Sequence, residues 1–452
     1  MMMRLSEAAG VLHGKVIGED VAFHAVSTDS RTVQAGDLFV ALRGERFDGH
    51  AYVAECLQRG AAAALVSQQV AGAGSQLVVA DTRVALGLLA AYWRSQFSIP
   101  LVAVTGSNGK TTVKEMLAAI LRAAAGGDAA VLATQGNLNN DIGLPMTLLK
   151  LRGQHRYAVA EMGMNHAGEI AYLTRLGKPD VALVNNALPA HLEGLGSVEG
   201  VARAKGEIFQ GLGAGGTAII NADDAYAPLW RELAAPHRIQ TFGLEQTADV
   251  SADYQLNADG SEVTLKTPEG SARLHLPAAG LHNVRNALAA TAAALAVGVT
   301  LEAVVNGLQQ FSGAKGRLQR KSGLQGCTVI DDTYNANPAS MRAAIDVLAA
   351  CPGKRVLVLG DMGELGADAE QLHAEIGQYV RAARLDGLLT LGEMSRAYAG
   401  ERYDTPEQLA DALRPQLDNT TTVLVKGSRF MRMERVVALI TETQEKEARH
   451  AA

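Results

Sequence analysis

The chain has 452 residues, is 48% hydrophobic by a broad count and only 4% aromatic, and is rich in Ala and Gly. That length exceeds one ordinary domain and points to two or three, and a net charge of −6 leaves no whole-chain footprint for nucleic acid. Cys56, Cys327 and Cys351 lie far apart, which argues against a disulfide framework or thiolate zinc site and for a reducing compartment; with no secretory leader and no apolar run of about 18 residues, a soluble cytoplasmic protein with no membrane insertion is expected.

In chain order, residues 1–85 hold short strand-like runs (DLFVAL at 37–42, then 62–66 and 76–79) around an Ala-rich helix. From residue 99 the rhythm changes to apolar run, polar or Gly-rich turn, helix: IPLVAV, YAVAEMG, DVALVNN and GTAIINADD open successive units. Such alternation predicts a doubly wound parallel sheet. Residues 244–277 alternate like an antiparallel excursion, and HNVRNALAATAAALAVG predicts a closing helix. After Gly316-Arg317 the βα rhythm restarts with TVIDDTYNANP, KRVLVLGDMGELG, LDGLLTLGE and TTVLVKGSR. The fold class expected is therefore α/β in three domains: a small one at 1–85, a central phosphate-loop domain at 86–315, and a Rossmann-like one at 316–452.

In an open parallel sheet, ligands bind beyond the carboxyl ends of the strands. There the first central strand delivers Thr105, Gly106, Ser107, Asn108, Gly109, Lys110, Thr111 and Thr112. This loop is two residues shorter than the common G-x-x-x-x-G-K-[ST], yet helix-start amides plus a lysine still suit a polyphosphate. Thr111 and Glu161 supply hard oxygens for Mg²⁺, and His191 is placed to serve a second ion. Taken singly, Glu161 is also an ordinary strand-end carboxylate, His191 an ordinary surface or core histidine, and Lys205 an ordinary solvated helix lysine.

Four stretches, TGSNGKTT (105–112), GLHNVRNALAA (280–290), GRLQ (316–319) and IDDTYNANP (330–338), together resemble the Mur ligase family, the ATP-dependent amide-forming enzymes of peptidoglycan synthesis, related to folylpolyglutamate synthase. The resemblance covers essentially the whole chain. STDSR (27–31), GDLFVAL (36–42) and FDGH (47–50) resemble a uridine-binding first domain. GNLNNDIGLP (136–145), EMGMNHAGEI (161–170), NNALPAHLEGLGS (185–197) and AKGEIF (204–209) resemble the member that joins D-alanyl-D-alanine to UDP-N-acetylmuramoyl-tripeptide. The D-N-P-R stretch of the preceding diaminopimelate-adding member is absent. That ligase, a folylpolyglutamate synthase and a nucleotide-dependent regulatory ATPase are the alternatives. One departure is Phe430, where the family has Gly.

The resemblance implies residue roles. Lys110 would hold the β- and γ-phosphates, Thr111 and Glu161 one Mg²⁺, and His191 a second; Lys205 would be carbamylated and assist that second ion. Asn283 and Asn286 would contact adenine, Asp331 would lie near the ribose, and Arg317 would reach the ATP phosphates from the third domain. Ser27, Thr28, Asp29, Ser30 and Arg31, with Asp48, Gly49 and His50, would hold the uridine diphosphate, and Asn139 and Asn140 would serve the same substrate. Tyr334, Asn335 and Asn337 lie where the dipeptide would arrive. A monomer is expected. Without the resemblance, the H-N-x-x-N helix is equally a capped, Ala-rich packing helix.

Overall fold

The computed structural model describes residues 1–190 and 192–441. Three larger parallel or mixed sheets, of five, six and six strands, form the bodies of the three units, with smaller antiparallel sheets beside them. The central one has six strands, all parallel, in the order Val131–Ala133, Tyr157–Glu161, Leu101–Thr105, Val181–Val184, Thr217–Asn221, Arg238–Phe242. Their apolar runs are continuous because both faces are covered. Leu101 and Ala103 pack into one cluster with the helices Thr82–Ser95 and Glu169–Gly177, while Val102 and Val104 pack into another with Lys110–Ala125 and Leu281–Ala296. The winding direction reverses at Leu101–Thr105, so a crevice opens beyond that strand's carboxyl end.

The first sheet has five strands, ordered Lys15–Ile17, Gln76–Val78, Ala63–Val66, Asp37–Val40, Ala25–Ser27, parallel except for Lys15–Ile17. The expected break at residue 85 falls inside the helix Thr82–Ser95. That helix begins with the Asp81 carboxylate accepting the Arg83 and Val84 amides. Its buried Ala85, Leu86, Leu89 and Ala90 belong to one core with Leu38 and Leu65 of the first sheet and Leu101 and Ala103 of the central one.

The excursion is a three-stranded antiparallel sheet, Ser251–Leu256, Ser261–Thr267 and Gly270–Leu276. The third unit holds six strands, ordered Gln319–Ser322, Thr328–Asp332, Thr421–Lys426, Lys354–Gly360, Gly387–Leu391, Glu401–Tyr403, with only the first antiparallel. No described helix is long and apolar enough to cross a membrane.

Candidate active site

A cleft of about 700 Å³ separates the central and third units, and its walls include Lys110, Glu161, Lys205, Asn286, Arg317 and Lys426. The short loop enters it between the strand Leu101–Thr105 and the helix Lys110–Ala125. What the loop lacks in length is supplied by the end of the neighbouring strand. Ser107 N donates to Asn186 O (3.0 Å) and Asn108 N to Asn186 Oδ1 (2.9 Å), while Asn185 Nδ2 and Asn186 Nδ2 donate to Asn108 O (3.0 and 3.2 Å). The Thr105 hydroxyl anchors the strand end on Met162 O at 2.8 Å. Gly109 has φ 80°, and a Cβ there would sit 2.4 Å from Asn286 Oδ1; only glycine fits this left-handed, crowded position. Thr112, in the first helical turn, also faces the cleft.

Lys110 folds back over its own loop, its Nζ donating to Gly106 O (2.7 Å) and Ser107 O (3.3 Å). Burial pushes its ammonium down from the usual lysine range, Glu161 opposes that shift and Arg317 adds to it. Thr111 Oγ1 donates to Glu161 Oε2 at 2.9 Å, and Asn139 Nδ2 to Glu161 Oε1 at 2.8 Å. The 2.9 Å between the two oxygens matches the roughly 3 Å between adjacent oxygens of an octahedral Mg²⁺ shell. Mg²⁺ draws most of its remaining ligands from phosphates and water, so this pair fits the ion even though no three His, Cys, Asp or Glu side chains among the described residues are grouped to hold a metal. His191 lies outside the described residues.

Lys205 is the outlier among the described lysines of the cleft. It sits in the helix Val198–Gly206 and is 1% exposed. Burial, and then the charge of Lys110, drive its ammonium well below the ordinary lysine range. The solvated-charge reading does not hold, because the side chain is buried and lines the cleft.

From the third unit, Arg317 Nη2 donates to Thr111 Oγ1 at 3.0 Å and its guanidinium lies 4.1 Å from the Tyr334 ring centroid. Asn283 and Asn286 face the cleft from a helix that has no side-chain cap. Asn286 Oδ1 accepts from Asn185 Nδ2 at 3.0 Å, and Asn283 Nδ2 donates to Ala279 O at 2.8 Å. Asn337 caps the helix Pro338–Ala349 and pairs with Asn108, and the Asn335 carbonyl accepts from Lys426.

Two expected residues stand elsewhere. Asp331 does not line the cleft; it is buried against Lys321 Nζ (2.6 Å) and Thr333 Oγ1 (2.6 Å). Successive strand residues face opposite ways, and Asp332 is the carboxylate in the cleft, paired with Lys426 at 2.6 Å. Asn140 accepts the Gly143 amide at 2.8 Å, at the start of the helix Gly143–Leu148, and does not line the cleft. Lys426 and His282 also line it. Both are legible after the fact, one as the strand-end residue of TTVLVK, the other as the first polar residue of HNVRN. Burial pushes the His282 imidazole down to about 4, Asp332 opposing.

The first-unit residues gather at the carboxyl edge of three parallel strands, away from the cleft lining. Ser27 ends one strand and its hydroxyl accepts the Asp29 amide at 3.3 Å. Thr28 and Ser30 are half-buried between them and Arg31. Arg31 grips Asp29 through two bonds (2.9 and 2.7 Å), holding that carboxyl down to about 2. Opposite, Asp48 accepts His50 Nδ1 at 2.6 Å, and the Ser67 amide donates to His50 Nε2 at 2.9 Å. With the Ser67 amide donating to Nε2, the Nδ1 side of the ring faces Asp48. Gly49 is pressed so close to Ala41 and Leu42 that a Cβ would lie 2.9 Å from their backbone.

Lys110 over a phosphate loop, with Thr111 and Glu161 placed for Mg²⁺ and Arg317 reaching across from the third unit, suits a nucleoside triphosphate whose γ-phosphate is to be transferred. The chain matches the Mur ligase family in three parts: the family's catalytic domain over residues 22–94, the Mur ligase middle domain over 104–294, and the glutamate ligase domain over 316–429. It belongs to the Mur ligase family. It is 45% identical over 447 residues to the UDP-N-acetylmuramoyl-tripeptide–D-alanyl-D-alanine ligase of Escherichia coli, covering 97% of this chain and 98% of that one. A crystal structure of MurF from Acinetobacter baumannii superimposes with TM-score 0.90 at 41% identity, covering 96% of this chain and 98% of that one. MurF ligase from Thermotoga maritima in complex with ADP does so with TM-score 0.82 at 28% identity, covering 94% and 98%.

Proposed function

We propose that this chain is the ATP-dependent ligase that joins D-alanyl-D-alanine to UDP-N-acetylmuramoyl-tripeptide, giving ADP and phosphate, in the cytoplasmic assembly of peptidoglycan precursors. The observation that carries the reading is the convergence of Lys110, Glu161, Lys205 and Arg317 on one cleft between two units, with Thr111 bonded to both Glu161 and Arg317. A carboxylate is a poor electrophile. Transfer of the γ-phosphoryl group to it yields an acyl phosphate, the dipeptide amine attacks the carbonyl carbon, and phosphate leaves from the tetrahedral adduct. An α-amine titrates at about 8, so base assistance is a small part of the task. The larger part is positioning and screening anions that repel one another.

Lys110 leaves the Gly106 and Ser107 carbonyls for the β- and γ-phosphates. Arg317, from the third unit, adds positive charge as the loop fills. Thr111 and Glu161 would hold one Mg²⁺ and His191 a second ion, which would supply screening of the phosphate charge. Lys205 is buried, and its ammonium is pushed down by burial and by Lys110, which favours the neutral amine that carbamylation needs: the amine nitrogen attacks CO₂, a C–N bond forms as one C=O π bond opens, one proton is released, and a carbamate anion replaces the neutral amine. Asn283 and Asn286 hold adenine. The carboxyl edge of the first sheet, from Ser27 to Arg31 and Asp48 to His50, holds the uridine diphosphate end, with Asn139 near the peptide. Tyr334, Asn335 and Asn337 meet the dipeptide, and closure of the third unit keeps water from the acyl phosphate. The enzyme works as a monomer.

Phosphate release measured with ATP, Mg²⁺ and UDP-tripeptide, with and without D-alanyl-D-alanine, tests this. Release that rises with the dipeptide, together with a product heavier by the dipeptide less water, is expected. Release indifferent to the dipeptide would leave a regulatory ATPase.

A further inference from the structure

Asn108 has every polar atom engaged, and its partners belong to different units. Its backbone is held by Asn185 and Asn186 of the central sheet. Its side chain meets Asn337 of the third unit in a reciprocal pair: Asn337 Nδ2 donates to Asn108 Oδ1 at 2.7 Å, and Asn108 Nδ2 to Asn337 Oδ1 at 3.2 Å. The amide orientation of Asn337 follows from its second task, because its Oδ1 also accepts the Ser340 amide at 2.9 Å and caps the helix Pro338–Ala349. On the other side, Asn185 Nδ2 bridges Asn108 O and Asn286 Oδ1, both at 3.0 Å. A continuous chain of amides therefore runs from the helix Leu281–Ala296, through the phosphate loop, to the first turn of a third-unit helix.

We propose that Asn108 and Asn337 are positioning residues for the ligation: their paired amides set the third unit, and with it Arg317, in register with the phosphate loop. The inference rests on the loop's holding ATP. Two amide bonds in a partly buried contact carry direction as well as attraction, since each side chain presents its donor to the other's acceptor. Arg317 reaches Thr111 through one bond only, with its Nε left buried and unpartnered, so its placement depends on what else joins the two units. The loop atoms that face phosphate are the same backbone that presents the Asn108 side chain, so filling the loop and seating the third unit bear on one residue.

The test is a double-mutant cycle with Asn108→Ala and Asn337→Ser. Serine keeps a good helix cap but is too short to reach Asn108. Each single variant is expected to lower kcat by roughly 10- to 100-fold, as a misplaced reacting group does. ATP affinity and the unfolding midpoint should stay near wild type, and the double variant should be no slower than the slower single by more than about threefold, because both changes remove one interaction. Effects on kcat that multiply, a wild-type kcat in either single variant, or a fall in ATP affinity as large as the fall in kcat would overturn the proposal. Wild-type protein without dipeptide-dependent phosphate release would instead overturn the ligase reading, and this inference with it.

Discussion

Gly109→Ala tests the loop where its geometry is tightest. At φ 80° an added Cβ would lie 2.4 Å from Asn286 Oδ1 and 2.5 Å from Asn185 Nδ2, about 1 Å inside the 3.4 Å at which ordinary contact begins. Both atoms are side-chain ends, but neither residue is free to yield: they are 5% and 3% exposed and bonded to each other at 3.0 Å. A left-handed alanine costs about 1–2 kcal/mol, and parting the buried amides about 1–3 kcal/mol. The sum, roughly 2–5 kcal/mol, is smaller than a typical native stability of about 5–15 kcal/mol. The variant should therefore fold, with its empty loop displaced to escape the clash. Nucleotide must restore the loop on binding, so the cost falls on affinity, roughly 30-fold to 3,000-fold at about 1.4 kcal/mol per decade. Calorimetric titration with ATP–Mg²⁺ measures this, with UDP-tripeptide titration as the control for an intact first unit. An ATP affinity within about threefold of wild type would refute the reasoning.

Lys110→Ala should slow turnover by roughly 100-fold to 1,000-fold or more, as loss of a preorganised charge does, while UDP-tripeptide binding stays near wild type in calorimetry because that site belongs to another unit. Lys205→Ala should be nearly inactive and partly restored by added short carboxylic acids; wild-type protein should lose activity in CO₂-depleted buffer and regain it with bicarbonate, and neither should hold if Lys205 works as an ammonium. His282 gives a pH signature in stability. Its imidazole titrates at about 4 in the fold and at about 6.5 unfolded, so between these values the unfolded chain binds the extra proton. Stability is then lost as pH falls through that window, at most about 1.4 kcal/mol per pH unit. Urea denaturation of His282→Gln should show a shallower fall between those limits than wild type.

How much could be read from the sequence depends on how local each feature is. The loop was legible because Gly106, Gly109, Lys110, Thr111 and Thr112 are contiguous between an apolar strand and a helix. Glu161 followed from the rule that strand ends face the ligand, and the structure brings it to Thr111. Lys426 obeys the same rule, yet its position over the cleft depends on the strand Thr421–Lys426 inserting between Thr328–Asp332 and Lys354–Gly360, a pairing that adjacency in sequence does not disclose. Asp331 and Asp332 are told apart only by which face of the sheet is covered, a tertiary fact. The bracing of the short loop by Asn185 and Asn186 is also long-range. A sharp boundary near residue 85 is not legible from composition for a similar reason: composition shifts there, but Thr82–Ser95 is one helix packed on two sheets.

The most direct test of the central claim follows an oxygen atom. UDP-N-acetylmuramoyl-tripeptide labelled with ¹⁸O in its terminal carboxylates is turned over with ATP, Mg²⁺ and D-alanyl-D-alanine, and the inorganic phosphate is analysed by mass spectrometry. Activation as an acyl phosphate leaves one carboxylate oxygen on the phosphate when the amine displaces it, so one ¹⁸O per phosphate is expected, formed in step with the pentapeptide product. Phosphate carrying no label, or formed at the same rate without the dipeptide, would contradict it.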